Sequence, residues 1–240
     1  MASDQSFAEK AVTIPLANGE AVSGTLLVPS AAKKSKVDAF IIAHGQGNGM
    51  KHPLLVTFAE GLAWEGYATL RFNFLFKEKG QTNPDKKAKL YLAWEGAMRF
   101  IREESGLKPR RIFAAGKSLG GRIAAHMTAE GLSDPDGLVF LGYPLDPPGE
   151  PQNARADHFQ KIKVPMLFFA GTRDPFCELL LLKKIFSSMD LDVSSRLEVV
   201  DRGDHSFEVP KSLYLPTEDI YKHILKKTVQ WLDKTFPVRK

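Results

Sequence analysis

Short, nearly uninterrupted apolar runs recur along this chain, and helix-length amphipathic stretches separate them. Ala39-Phe-Ile-Ile-Ala-His, Tyr67-Ala-Thr-Leu-Arg-Phe-Asn-Phe, Arg111-Ile-Phe-Ala-Ala, Leu138-Val-Phe-Leu, Val164-Pro-Met-Leu-Phe-Phe-Ala and Arg196-Leu-Glu-Val-Val are the segments that carry the runs. Between them lie segments with helical periodicity, read as helices over 52–64, 84–105, 120–130, 175–189 and 217–236. In 84–105 the apolar residues Leu90, Trp94, Ala97 and Ile101 share one face. In the last segment Ile220, Ile224, Trp231 and Leu232 do the same. Strands that are apolar on both faces, alternating with helices, fit a mostly parallel sheet covered on each side. The expected fold class is therefore α/β, doubly wound. The first strands, around Ala11–Pro15 and Val22–Pro29, flank the turn Asn18-Gly19 and read as an antiparallel hairpin at one edge.

Composition narrows the class further. With 240 residues, 43% of them apolar, the chain suits one well-filled core, and residues 1–240 are expected to form a single domain. Lys and Arg exceed Asp and Glu by 33 to 28, for a net charge of +5. The basic residues are scattered beside acids and apolar stripes, so a solvated face is the reading and no nucleic-acid partner is expected. No apolar run approaches the length of a membrane span. The opening Met1 to Phe7 has no basic segment leading into an apolar one, so no signal peptide is expected. A single cysteine, Cys177, excludes an intrachain disulfide and any CxxC metal site and suits a reducing, cytoplasmic setting.

In doubly wound sheets ligands gather at the carboxyl ends of strands. Gly116-Lys-Ser-Leu-Gly-Gly follows one such strand. A phosphate-binding loop would need glycine at 111, where Arg stands, and a loop at 112–115, where a strand is read; that reading fails. The same residues fit G-x-S-x-G, the strand-to-helix elbow that exposes a nucleophilic serine, here Ser118. A serine hydroxyl needs a base, and the base needs a carboxylate to orient it. Asp174, in Gly171-Thr-Arg-Asp-Pro, follows a later strand; Asp146, after the preceding strand, is the competing acid. His205, in Asp201-Arg-Gly-Asp-His, follows the last strand. A developing oxyanion needs two N–H donors. The backbone of Leu119 is one candidate, and Gln46 in His44-Gly-Gln-Gly is the other, with Gly47 second. His44 reads as a buttress of that loop. Lys117, Arg122 and Arg173 stand near the expected mouth as weaker candidates for substrate contact. No metal or cofactor is expected; the partners are a small acyl substrate and water.

In these motifs and their order the chain resembles the α/β-hydrolase superfamily over essentially its full length. More narrowly, His44-Gly-Gln-Gly, Leu70-Arg-Phe-Asn-Phe, Gly116-Lys-Ser-Leu-Gly-Gly-Arg and Gly171-Thr-Arg-Asp-Pro-Phe resemble a small dienelactone-hydrolase-related group. That group includes the hydrolase-like domain of the nonspecific-lethal complex's third subunit. The resemblance implies a carboxylesterase or thioesterase working through an acyl-enzyme on Ser118. Because some members serve as scaffolds, a binding protein is the alternative; a small serine peptidase is another. Dienelactone hydrolases use a cysteine nucleophile, whereas Ser118 stands at that place here. The proline-rich interval from Tyr143 to Val164 is short, so a minimal lid or none is expected.

Overall fold

The computed structural model describes residues 6–33, 36–188 and 194–237. Residues 1–5 of the opening segment, and Met189 at the end of one expected helix, lie outside them. Among the described residues eight strands form one sheet: β1 (Phe7–Pro15), β2 (Ala21–Pro29), β3 (Ala39–Ala43), β4 (Ala68–Phe72), β5 (Ile112–Lys117), β6 (Gly137–Leu141), β7 (Met166–Gly171) and β8 (Ser195–Val200). Their spatial order is β1-β2-β4-β3-β5-β6-β7-β8. β1 and β2 form the antiparallel hairpin, with Ile14 opposite Val22, and β2 runs antiparallel to β4. From β4 to β8 every pairing is parallel.

Among the described residues the six α-helices are α1 (Pro53–Trp64), α2 (Leu75–Glu78), α3 (Lys87–Arg99), α4 (Leu119–Ala129), α5 (Leu179–Ser188) and α6 (Thr217–Thr235). Strand alternation sorts the apolar side chains between two cores. Ile41 of β3, Ala114 of β5 and Phe168 of β7 face the core that α3, α4 and α5 cover. Phe40, Ile42, Phe113 and Phe169 face the opposite core, under α1 and α6. Ile220, Ile224, Trp231 and Leu232, the expected stripe of α6, are all buried there.

Three elements differ from the sequence reading. The helix expected from Pro175 starts at Leu179, where the Glu178 carboxylate accepts the Leu180 and Leu181 N–H groups. The third helix starts at Lys87 rather than Pro84, because the Asp85 carboxylate turns back to accept the Phe76 N–H at 2.7 Å. It then continues as a wider π turn over Phe100–Glu104, where the Ser105 N–H reaches the Phe100 carbonyl. The short α2 was not expected; four residues are too few to show a period.

The chain reverses direction across the sheet at β3, which pairs with β4 on one side and β5 on the other. The crevice of a doubly wound sheet opens at such a switch point. His44 follows β3 directly, is fully buried, and ties its loop to the next crossover. Its Nε2 accepts the Phe74 N–H at 3.1 Å, so Nδ1 must carry the ring proton and donates to the Gly45 carbonyl at 2.7 Å. Across the crevice, α4 begins immediately after β5 and lies close against it. A Cβ on Gly116 would sit 2.2 Å from the Gly121 nitrogen, and one on Gly120 would sit 2.6 Å from the Ala43 carbonyl oxygen.

Two predictions follow from this packing. Gly116→Ala presses a methyl group onto backbone that cannot yield, so it should lower unfolding free energy by about 2 kcal/mol or more. Gly47→Ala meets open space and should change stability by about 0.5 kcal/mol at most; urea denaturation of both checks the contrast. Burial lowers the pKa of His44 to about 4, of His52 to about 4 and of His158 to about 3. Folded pKa values below the unfolded one mean stability that is complete above about pH 6.5 and lost as pH falls toward 4. Urea midpoints should therefore drop between pH 6 and 5, and His44→Asn should flatten that slope by roughly 1 kcal/mol per pH unit.

Candidate active site

Ser118 occupies the turn between β5 and α4 with φ 50° and ψ −115°. A non-glycine residue held there is strained, and the surrounding backbone enforces it: the Ser118 N–H reaches the Leu141 carbonyl and its own carbonyl accepts the Arg122 N–H. This is the geometry that G-x-S-x-G anticipates. The opposite wall is the loop after β3, and a Cβ on Gly45 would lie 3.3 Å from the Ser118 Cβ.

His205 follows β8. Its Nδ1 donates to the Asp174 carboxylate, 2.8 Å from Oδ2 and 2.9 Å from Oδ1. Asp174 also accepts the Phe176 N–H at 2.9 Å. Its side chain is fully buried, while that of His205 remains 17% exposed. With Nδ1 committed as donor, Nε2 of the neutral ring is the acceptor. The Phe176 ring packs on the imidazole with centroids 4.7 Å apart. The loop carrying His205 approaches β7 closely, since a Cβ on Gly171 would lie 2.1 Å from the Gly203 carbonyl oxygen.

Ser118 and His205 line one cavity of about 740 Å³. Among the described residues no hydrogen bond joins the two side chains; apo sites commonly tighten only when substrate binds. Leu119 and Gln46 line the same cavity. As the first residue of α4, Leu119 has an N–H with no acceptor inside the helix. The Gln46 N–H engages no backbone carbonyl among the described residues. Gly47 also lines the cavity.

The remaining sequence candidates separate. Asp146 is buried in the cavity wall, but its carboxylate accepts the Glu178 N–H at 3.1 Å rather than meeting His205. Lys117 lines the cavity and is only 5% exposed, with Nζ directed at the His205 carbonyl oxygen at 3.4 Å. Burial lowers the Lys117 pKa, while Asp174, Asp204 and Glu208 act against that shift. Arg173 does not reach the cavity. It is exposed in the turn after β7, where its N–H is bound to the Gly203 carbonyl. Cys177 is buried beside the Asp174 backbone, and burial pushes its thiol pKa well up, which disfavours the thiolate.

Sequence reasoning missed Thr82, Asn83, Phe176 and Arg155, all of which line the cavity. The first two come from the turn before α3, and Arg155 comes from the connection after β6. Phe176 closes the segment Gly171-Thr-Arg-Asp-Pro-Phe, where it carried no functional reading; the other three belong to no motif, and only the long-range path of the chain brings them in. That same connection supplies Pro144, Pro147 and Pro148, the short cover over the site.

Comparison with solved structures finds the same architecture at low identity. Dienelactone hydrolase from Anabaena variabilis matches with a TM-score of 0.74 and 21% identity, covering 95% of this chain and 98% of that one. Est1E from Butyrivibrio proteoclasticus, solved with ferulic acid bound, gives 0.72 and 17%, covering 92% and 98%. An α/β serine hydrolase without a lid from Xanthomonas campestris gives 0.69 and 17%, covering 97% of each chain. A family model described as an alpha/beta hydrolase domain matches residues 36–233. With that match spanning most of its length, and with its switch-point crevice and serine elbow, the chain belongs to the alpha/beta hydrolase family.

Proposed function

We propose that this protein is a serine hydrolase that cleaves carboxylic ester or thioester bonds of small soluble acyl substrates. The observation that carries the reading is the Asp174–His205 hydrogen bond, set so that His205 and the strained Ser118 turn face one cavity. His205 Nε2 takes the Ser118 proton as Oγ attacks the acyl carbon. Asp174 holds the ring tautomer and stabilises the imidazolium, and the Leu119 and Gln46 N–H groups receive the oxyanion. The imidazolium then protonates the leaving alkoxide or thiolate. Water, deprotonated by the same nitrogen, releases the acid and returns the proton to Ser118. In this reading Lys117 anchors the His205 loop rather than meeting substrate.

The cover over the cavity is a short proline-rich segment, in keeping with the lidless Xanthomonas neighbour. Such an opening favours short, solvent-borne acyl groups over lipid at an interface. Among the described residues no helix is long and apolar enough to cross a membrane.

Fluorophosphonate is expected to label the wild type and not Ser118→Ala, and p-nitrophenyl acetate turnover should fall to background in that variant. Iodoacetamide should leave turnover intact, because the Cys177 thiol is buried. If the wild type neither labels nor cleaves any short ester, thioester or peptide ester, the scaffold alternative replaces this reading. The two carboxylates can be separated in the same assay. Asp174→Asn should lower kcat by roughly 10²–10⁴-fold through loss of the ring tautomer, whereas Asp146→Asn should cost less than about tenfold. Comparable losses would assign the acid wrongly.

A further inference from the structure

Two arginines line the reaction cavity without an ion-pair partner among the described residues, although Asp146 lines the same cavity and Asp85 the pocket beside it. Arg122 lies one helical turn beyond Ser118 on α4, about 6 Å further along the axis, and Arg155 reaches in from the connection after β6, where its N–H is pinned to the Leu145 carbonyl. Both line the cavity that holds Ser118 and His205, and both line an adjoining pocket of about 280 Å³ floored by Leu119, Ile123 and His126. Among the described residues neither guanidinium forms an ion pair.

The carboxylates nearby are engaged elsewhere. Asp146 accepts the Glu178 N–H, Asp85 accepts the Phe76 N–H, and Glu130 is held by Lys87 at 2.6 Å and by Tyr91 at 3.2 Å. Burial lowers the Arg122 pKa; Tyr143 opposes the shift and the Arg155 charge adds to it. Arg122 is half-buried and Arg155 exposed, so two like charges border one cavity; an anion between them would relieve their repulsion, and the planar guanidinium fork matches a carboxylate.

We propose that Arg122 and Arg155 form an anion subsite, so that the substrate hydrolysed at Ser118 carries a second, unreacted carboxylate a few bonds from the scissile carbonyl. This rests on the acyl-hydrolase reading above and narrows its substrate class. The carboxylate sits on either the acyl or the leaving-group side, and matched substrates separate the two. Mono-p-nitrophenyl glutarate against p-nitrophenyl butyrate tests the acyl side; 4-carboxyphenyl acetate against phenyl acetate tests the leaving group.

In one of these pairs the wild type is expected to favour the anionic ester about tenfold to hundredfold in kcat/KM, the range of a charge-assisted contact. Arg122→Gln combined with Arg155→Gln should remove that preference, and the corresponding Lys pair should retain part of it. Should the double variant fail to fold, Arg155→Gln alone, at an exposed position, should cut the preference about threefold. A ratio near one in both pairs, or a preference that survives these variants, overturns the subsite. If no ester is cleaved, the hydrolase reading fails by itself. Calorimetric titration of the wild type with glutarate then decides the subsite: binding lost in the arginine variants supports it, and no binding overturns it.

Discussion

The close approach of α4 to β5 and β3 is the contact on which the site depends. At Gly116 and Gly120 the backbones are so near that no side chain fits between them. That proximity forces the chain to turn within one residue, and the residue is Ser118, left at positive φ. The strain is held by packing rather than by any local preference of serine. One constraint therefore fixes three things at once: the serine points into the crevice, the Leu119 N–H lies beside it, and Arg122 falls one turn further along the wall.

The other half of the site is assembled by a second close approach. The β8–α6 connection comes down on the end of β7 at Gly171, and this brings His205 over Asp174. Burial of the Asp174 side chain and its second hydrogen bond, from the Phe176 N–H, hold the carboxylate so that one orientation of the imidazole satisfies it. Lys117 stabilises the same loop from beneath by reaching the His205 carbonyl. Residues at the carboxyl ends of β5, β7 and β8 thus form one polar cluster. Each member limits the freedom of the next, which is what preorganisation means in physical terms.

Much of this was legible in the residues alone. Apolar runs such as 39–43 and 166–170 sit on strands because a two-sided core demands apolar side chains on both faces, and alternation then deals them to the two sides of the sheet. The stripe Leu90, Trp94, Ala97 and Ile101 marks a helix for the same reason, although its Pro84 start failed because Asp85 bonds backward to the Phe76 N–H. G-x-S-x-G between strand and helix located the turn at Ser118, and the Ser, Asp, His order picked out Asp174 and His205, which hydrogen-bond to each other in the structure. Arg173 shows the limit of nearness along the chain. It adjoins Asp174 in sequence, yet it is exposed and does not line the cavity, because consecutive residues of a turn need not share a face.

What the amino-acid order determined by itself was periodic or local: the layers, the antiparallel edge, the elbow and the glycines that permit it. Those features follow from burial patterns and backbone sterics within a few residues. What only the tertiary structure decided was which distant groups meet. Asp174 rather than Asp146 takes the His205 proton donor, His44 spends both ring nitrogens on backbone, and Arg122 and Arg155 come to line one cavity. Such pairings depend on how strands are ordered and how connections cross the sheet, and side-chain chemistry acts over only a few ångströms once that order has set the distances.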